Sequence, residues 1–305
     1  MLHIIYRSYG GENAKGRPAY YSKALAIASM LRAAEELGSA AQIVFLNDGP
    51  IPAELSKIME RSGEIDQRSQ LGMKGSLRAA LALPHERGWS DDDLVWLAED
   101  DYLYQPYAFT HLRAAAAAFP DAGYFALYAV IGDRLPNGQP SDDKHVPVGC
   151  AKIPAGWHDT DPVSVLGHPW RRALSTTSTF GARVAALEQE RLLMYATMWS
   201  GAPWDYTMCL LYQGFQPYAL SQTPRWLRES ARSKGVAQTV AVGAVRVALS
   251  AYQAARGIVG QSGRLFVAPD PALATHLETK YMALGTDWDA VAQDTLHWGR
   301  ERGVL

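Results

Sequence analysis

Three consecutive carboxylates, Glu99, Asp100 and Asp101, directly follow the apolar segment 94–98. Such an apolar run is typical of a strand covered on both faces, and crowding carboxylates after it costs free energy unless a cation neutralises them. Their oxygens suit Mg²⁺ or Mn²⁺, which would then bridge to the phosphates of a substrate. The same residues could equally cap the following turn or face water, so both interpretations stay open at this stage.

A second acidic run at residues 91–93 contains as many carboxylates but precedes the apolar segment. It therefore lies at the opposite edge of the predicted sheet, where we expect solvated side chains. Cations that could bind phosphate, Arg7, Arg17 and Lys23, lie near the end of the first predicted strand. Arginine forks match phosphate oxygens, although each of these residues taken alone is more simply a surface charge.

Aromatic and basic residues also cluster late in the chain. Arg225 and Arg228 flank Trp226 in a segment that we predict to be a loop. Trp199, Trp204 and Trp226 could each stack on the apolar face of a sugar ring, and ordinary packing is the simpler interpretation for each.

Short apolar strands alternate with helical patterns along the first half of the chain. We predict strands at residues 3–6, 42–46, 94–98, 124–130, 175–180 and 265–267, and helices at 22–37, 53–61, 75–83, 109–119, 183–198, 206–212 and 236–255. This alternation predicts an α/β fold with a mostly parallel central sheet flanked by helices. Ligands bind at the carboxyl ends of such strands, where the polar clusters 7–9, 47–49 and 99–101 converge.

The composition describes an ordinary globular chain. Its 305 residues carry 29 lysines and arginines against 31 acidic residues, so the formal net charge of −2 predicts no broad attraction to nucleic acid. The two cysteines exclude a disulfide scaffold and favour a reducing compartment. The apolar segment 236–255 is interrupted by polar residues, so we predict a helix with one polar stripe and no transmembrane segment. With no signal peptide recognised, we expect a cytoplasmic protein.

The second half is less regular. Residues 132–170 are rich in proline and glycine and predict long loops, which in a compact domain usually have a function. No repeat or linker divides the chain, so we predict a single domain over residues 1–305.

Several of these segments together resemble the GT-A class of glycosyltransferases, which use nucleotide-sugar donors, and within it a family 2-like bacterial branch. The resemblance rests on the acidic strand end at 94–104, on 45–49, on the helix from Gly75, and on the segments 17–23, 175–183 and 274–278 with 287–288. It implies a GT-A, Rossmann-like fold with a nucleotide-binding half (1–130) and a loop-rich acceptor-binding and catalytic half (131–305).

The resemblance also implies roles for individual residues. Asp101 would ligate Mn²⁺ or Mg²⁺, with His276 completing the metal sphere. Glu99 and Asp100 would approach the ribose or support the site, and Asp48 would contact the nucleoside base. Arg7, Ser8 and Lys74 are further candidates for holding the donor. Asp205, which opens a helix after a Gly/Pro turn, would be the base that takes the proton of the acceptor hydroxyl.

Two of these assignments have simpler structural alternatives. An isolated histidine such as His276 is also an ordinary surface or core residue, and Asp205 could instead cap its helix. Glu229 and Asp287 are weaker candidates for the base.

The sequence therefore predicts a metal-dependent glycosyltransferase. It would move a sugar from a nucleotide donor, UDP-linked, to a hydroxyl of a saccharide or small molecule, with inversion if Asp205 is the base. A sugar nucleotidyltransferase is a second hypothesis, although residues 10–16 poorly match the basic, glycine-rich loop of such enzymes. A non-catalytic nucleotide- or carbohydrate-binding module on the same scaffold is a third. The oligomeric state stays open.

Overall fold

The computed structural model describes residues 1–141, 146, 149–201, 203–218, 222–260 and 263–305. Its strands are β1 (Leu2–Ser8), β2 (Ala41–Asp48), β3 (Glu64–Arg68), β4 (Leu94–Glu99), β5 (Tyr102–Tyr104), β6 (Ala122–Phe125), β7 (Val163–Val165), β8 (His168–Arg172), β9 (Phe180–Arg183), β10 (Leu265–Pro269) and β11 (Ala274–His276). Its helices are α1 (Lys23–Glu35), α2 (Ala53–Ser62), α3 (Gly72–Arg87), α4 (Ala108–Ala118), α5 (Val184–Thr197), α6 (Trp204–Tyr212), α7 (Thr223–Lys234), α8 (Val236–Ile258) and α9 (Trp288–Glu301).

Over the described residues, nine strands form one sheet in the order β3-β2-β1-β4-β9-β6-β10-β8-β7. The first four strands of that order are parallel to one another, and β9 and β8 run against their neighbours. A separate two-stranded sheet pairs β11 with β5. The predicted α/β fold with a mostly parallel, helix-flanked sheet is therefore confirmed.

The central strands form because their side chains are apolar on both faces. Every residue of β1 is buried, as expected of a strand between two parallel neighbours. Leu2, Ile4 and Tyr6 pack with α1, α4 and α9 on one face of the sheet. Ile5 points to the other face, where α3, α5 and α6 cover it. These two apolar layers hold the carboxyl ends of β1, β2 and β4 in fixed relation.

Several predicted elements differ from the structure. The strand predicted at 124–130 ends at Phe125, and the one predicted at 175–180 lies instead at Phe180–Arg183. Within 132–170, β7 enters a hairpin with β8 through Leu166 and Gly167, whose φ angles of 50° and 83° are those of a tight hairpin turn. Residues 142–145 and 147–148 of that segment lie outside the described residues. Arg225 and Arg228 lie on the helix α7 rather than in a loop.

The single-domain prediction and its two functional halves stay predictions. β9, from the second half, lies between β4 and β6 of the first. Among the described residues, no helix has the length and apolar character needed to cross a membrane.

Candidate functional site

A cavity of about 1170 Å³ opens at the carboxyl ends of β1, β2 and β4. Its walls are formed by the carboxyl ends of three strands: Arg7, Ser8 and Tyr9 at the end of β1, Asp48 at the end of β2, and Glu99, Asp100 and Asp101 at the end of β4. The parallel register aligns Arg7 with Glu99 and Ser8 with Asn47. The three polar clusters that the sequence placed at one sheet edge thus border one cavity.

Two carboxylates of the acidic cluster are neutralised by cations of the chain itself. Arg7 Nη2 donates to Glu99 Oε1 at 3.0 Å, and Lys23 Nζ donates to Asp100 Oδ2 at 2.7 Å. Thr179 Oγ1 donates to the other oxygen of Glu99 at 3.1 Å. The cationic partner that such a crowded cluster requires is therefore partly built into β1 and α1.

Asp101 is the meeting point of three nitrogen groups. Its Oδ2 lies 3.1 Å from Lys15 Nζ, 3.1 Å from Arg17 Nη1 and 3.0 Å from His276 Nε2. Asp101 and His276 are 175 residues apart in sequence. They meet because β11 pairs antiparallel with β5, which begins directly after Asp101 and places His276 opposite Tyr102.

The two neighbouring aspartates respond differently to burial. For Asp100, burial raises the pKa above its ordinary value, and the opposing charge of Lys23 does not cancel that effect. Burial also acts to raise the pKa of Asp101, but the hydrogen bond and charge of His276, together with Lys15, hold that pKa well below its ordinary value. Asp101 is thus the carboxylate of the pair that stays ionised most firmly.

The donors around Asp101 fit a divalent ion in part. Asp101 Oδ2 and His276 Nε2 are close enough to share one ion, and Mg²⁺ is commonly held by one or two protein ligands plus substrate phosphates and water. Lys15 Nζ, however, lies 3.1 Å from Asp101 Oδ2 and 3.2 Å from His276 Nε2, which are themselves 3.0 Å apart, so its ammonium contacts both groups where a shared ion would bind. Glu278 lies 3.8 Å from His276 Nδ1. Among the described residues, no group of three or more His, Cys, Asp or Glu side chains could hold a metal ion.

Two side-chain nitrogens of Arg7 have no hydrogen-bond partner in the part of the chain that the structure describes. Its side chain is 7% exposed. Its Nε and Nη1 are buried without a hydrogen bond to the described residues, as is Nε of Arg17. Leaving buried donors unpaired costs free energy. Arg7 lines the cavity and Arg17 contacts Asp101 on its wall, so a ligand whose anionic oxygens reached these nitrogens would supply the missing acceptors. Ser8 Oγ is nearby, 3.5 Å from Asp100 Oδ2.

Asp48 and Lys74 each have a structural contact. The carboxylate of Asp48 accepts hydrogen bonds from the backbone N–H groups of Leu71 and Gly72 and so caps the beginning of α3. Lys74 Nζ lies 4.3 Å from the ring centre of Trp199 and does not belong to the cavity wall. Asp48 lines the cavity, whereas Lys74 links α3 to the segment that leads into α6.

Asp205 lies in the first turn of α6, although the cap residue of that helix is Pro203. Its Oδ1 accepts from the backbone N–H of Tyr206 at 2.9 Å. Burial raises the pKa of Asp205 to about 6, and the negative charge of Glu99 acts in the same direction. Asp205 and Cys209 share one helix face, and Cys209 Sγ accepts from the backbone N–H of Thr176. Asp205 is not part of the described cavity wall, and the charge of Glu99 is what links it to the acidic cluster.

Other candidates lie away from the cavity. Trp204 and Trp226 are packed in the protein, whereas Trp199 is 58% exposed. Glu229 pairs with Arg225 on the surface of α7, and Asp287 caps α9. Trp204 and Trp226 are therefore packing residues, and Asp287 has a structural role as the N-cap of α9.

Sequence reasoning overlooked Lys15, Thr179 and Glu278 as partners of the site. Lys15 lies in the irregular segment between β1 and α1, where no periodic pattern predicts which way its side chain points. The signal that could have found it is the basic pair Lys15 and Arg17 around Gly16, in the segment that connects β1 with α1 at the binding edge.

No protein-family model matches this chain, and no curated protein matches it in sequence. Among solved structures, TarS of S. aureus superimposes with a TM-score of 0.40 at 12% identity over 68% of this chain, which spans 32% of the TarS chain. A 4-diphosphocytidyl-2C-methyl-D-erythritol synthase gives a TM-score of 0.38 at 11% identity, covering 97% of this chain and 98% of that one. A CMP:2-keto-3-deoxy-manno-octonic acid synthetase complexed with CTP gives 0.41 at 11% identity, covering 98% and 99%. At this level the superpositions identify no family and no activity for this chain.

Proposed function

We propose that this chain is a glycosyltransferase that moves a sugar from a nucleotide-sugar donor, UDP-linked, to a hydroxyl group of a saccharide or small molecule. The observation that carries the proposal is the cavity at the carboxyl sheet edge. It combines three carboxylates with a buried arginine, Arg7, whose Nε and Nη1 have no partner among the described residues. A cavity of about 1170 Å³ with these donors would accommodate a large anionic ligand.

The cations support departure of a nucleoside diphosphate. When the bond from the anomeric carbon to the diphosphate oxygen breaks, negative charge grows on that oxygen. Two guanidinium nitrogens of Arg7 have no acceptor among the described residues, Lys15 lines the same space, and Arg17 contacts Asp101 on its wall. Preorganised donors of this kind stabilise developing charge because they need no reorganisation during the reaction.

Asp101 and His276 would hold the Mn²⁺ or Mg²⁺ that the resemblance implies, after displacement of the Lys15 ammonium, and the ion would supply a Lewis acid to the diphosphate. Glu99 and Asp100, held in place by Arg7 and Lys23, are then available to orient the donor. Asp48 lies on the cavity wall beside the beginning of α3, where a nucleoside would bind.

Asp205 is the proposed base. The acceptor oxygen attacks the anomeric carbon, the bond to the diphosphate breaks, and the hydroxyl proton passes to the Asp205 carboxylate. A pKa of about 6 suits this task, because the group is ionised at neutral pH and still accepts a proton readily. A single displacement of this kind inverts the anomeric configuration.

The test separates this function from its two competitors in one series. The full chain is incubated with Mn²⁺ and a panel of UDP-sugars and hydroxyl acceptors, and in parallel with nucleoside triphosphates and sugar phosphates. Release of UDP together with a glycosylated acceptor supports the proposal. Release of pyrophosphate with formation of a nucleotide-sugar identifies a nucleotidyltransferase, and binding with neither product identifies a non-catalytic module. Either of the last two results overturns glycosyl transfer.

A cytoplasmic location is part of the same proposal. Cys150 and Cys209 are free and buried, as suits a protein made in a reducing compartment.

A further inference from the structure

Helix α8 presents an apolar surface to solvent. Val236, Val240, Val247 and Ile258 are 71%, 64%, 70% and 86% exposed, and the seven alanines of the helix are exposed as well. The two charged residues of α8, Arg246 and Arg256, are both buried. The helix is 23 residues long, about 34 Å at 1.5 Å per residue. Its polar stripe therefore faces the protein and its apolar stripe faces outward, the reverse of an ordinary surface helix.

Buried polar contacts fix this orientation. Arg246 Nε donates to the backbone oxygen of Ser200 at 2.9 Å, and its guanidinium lies 4.4 Å from the ring centre of Trp226. One end of the helix is fixed by Arg256, whose Nη2 pairs with Glu190 at 3.1 Å. Rotating α8 to bury its valines would expose or unpair these groups at considerable cost.

The neighbouring helix α7 is strongly basic. Arg225, Arg228, Arg232 and Lys234 lie within its 12 residues against a single carboxylate, Glu229, although the whole chain has a net charge of −2. α7 packs against α8 through Trp226, whose ring lies over Gly243. Basic side chains and an exposed apolar stripe thus share one helical hairpin, α7 with α8.

We propose that this hairpin docks onto an anionic lipid bilayer, with the exposed stripe of α8 at the boundary of headgroups and acyl chains and the cations of α7 on headgroup phosphates. Apolar helices that lie in the interface bind through buried apolar area together with attraction to anionic lipid. A second copy of the chain fits less well. A two-fold contact brings a patch against itself, and would place the cations of α7 near their own copies.

The hairpin contacts the connection that leads to the proposed base Asp205. Arg246 holds Ser200, which stands in the connection between α5 and α6 that leads to Asp205. A docked bilayer would therefore lie on the side of that connection. The proposal needs no membrane-crossing helix, and it stands whether or not the chain transfers sugars.

The test is co-sedimentation of the full chain with vesicles. We expect binding to phosphatidylcholine vesicles that contain about a quarter phosphatidylglycerol, and at least about tenfold weaker binding to pure phosphatidylcholine. Val240→Glu with Val247→Glu places two charges on one exposed face of α8 and should abolish binding. Arg228→Gln with Arg232→Gln should weaken it by about tenfold and reduce its salt dependence. Leu192→Glu, at an exposed leucine of α5, is the matched control and should bind as wild type does.

Circular dichroism and sedimentation velocity accompany each variant. Folded variants that lose binding as stated support docking on lipid. Equal binding to neutral and anionic vesicles, or unchanged binding by the folded Val240→Glu, Val247→Glu variant, overturns it. The proposal is also overturned if wild type does not bind vesicles but forms a dimer that the same variant dissociates. The apolar stripe then contacts a second copy.

Discussion

The two acidic triplets at the ends of β4 have nearly the same composition and opposite surroundings. In the amino-edge triplet, residues 91–93, Asp91 and Asp92 are exposed, and Asp93 binds the amino group of Met1 and Nε2 of His3. In the carboxyl-edge triplet, Glu99, Asp100 and Asp101, the two aspartates are buried beside a cavity of about 1170 Å³. The comparison shows that the sheet edge on which a carboxylate lies matters more than how many carboxylates stand together.

The reason is the direction of the strands. Loops that follow the parallel strands β1, β2 and β4 must leave the sheet at the same edge, and the space between them forms the cavity. At the other edge, Trp89 stacks on His3 with ring centres 3.8 Å apart. A small local cluster forms there, and the remaining carboxylates face water.

The largest expected effect concerns the base proposed to act on the substrate at the carboxyl-edge triplet. Asp205→Asn should lower the turnover number by about 10²–10⁴-fold, because the base is lost. UDP should still bind, because the substitution leaves the cavity unchanged. The same variant should gain about 1–2 kcal/mol of unfolding free energy at pH 7.5. Measured turnover, UDP titration and thermal unfolding check the three parts. Full activity in this variant would eliminate Asp205 as the base.

The next effect compares the ion pairs of the two triplets. Lys23→Met leaves Asp100 buried without its cation and should cost about 3 kcal/mol of unfolding free energy or more. Asp93→Asn, in the more exposed cluster, should cost about 1 kcal/mol or less. Urea unfolding measures both, and adding Asp100→Asn to Lys23→Met should recover part of the loss. Equal costs for the two single variants would contradict the contrast drawn between the triplets.

The pH dependence of transfer should reflect Asp205. Its pKa is raised to about 6, so below that value the base is protonated, and kcat/KM should rise about tenfold per pH unit before levelling above pH 7. The stability effect has the opposite sign: ionising this partly buried carboxylate destabilises the folded state as the pH rises from the unfolded pKa to about 6, and above that pH the loss is constant. The stabilisation by Asp205→Asn should therefore be present at pH 7.5 and absent at pH 4. A pH-independent gain would show that charge is not its cause.

A smaller effect concerns the cation beside Asp101. Lys15→Met removes the ammonium that contacts both Asp101 and His276 and should tighten Mn²⁺ binding by about tenfold, measured by calorimetric titration. Asp101→Asn should abolish that binding, and Lys57→Met on the surface of α2 is the control. If wild type and Lys15→Met both fail to bind Mn²⁺, the metal site predicted from the sequence is wrong, and Lys15 is the cation of the site.

The order of the main elements could be predicted because their apolar patterns are strong. The continuous apolar runs of β1 and β4 and the cap of α1, where Ser22 accepts from Leu25, have local causes. The hydrophilic helix α7 was missed since only Trp226 and Ser230 of its residues are buried. The exposed valines of α8 could not be predicted, because a helical pattern has two sides and does not say which one meets the protein.

The site was predicted unevenly for the same reason. Carboxylates that follow a buried strand can be recognised in the sequence. The approach of His276 to Asp101, in contrast, depends on β11 and β5, which are strands of three residues with no periodic signal. Lys15 belongs to an irregular segment, and its side chain is positioned by tertiary contacts with Asp101 and Glu278. The roles assigned to these residues stay predictions.

The most direct test of the account is calorimetric titration of UDP, with Mn²⁺, into three proteins: wild type, Asp101→Asn and Asp92→Asn. The account predicts that wild type and Asp92→Asn bind alike, and that Asp101→Asn binds at least about tenfold more weakly, a loss of about 1.4 kcal/mol. Equal binding by all three proteins, or no binding by wild type, would contradict the claim that the carboxyl-edge triplet forms a nucleotide site.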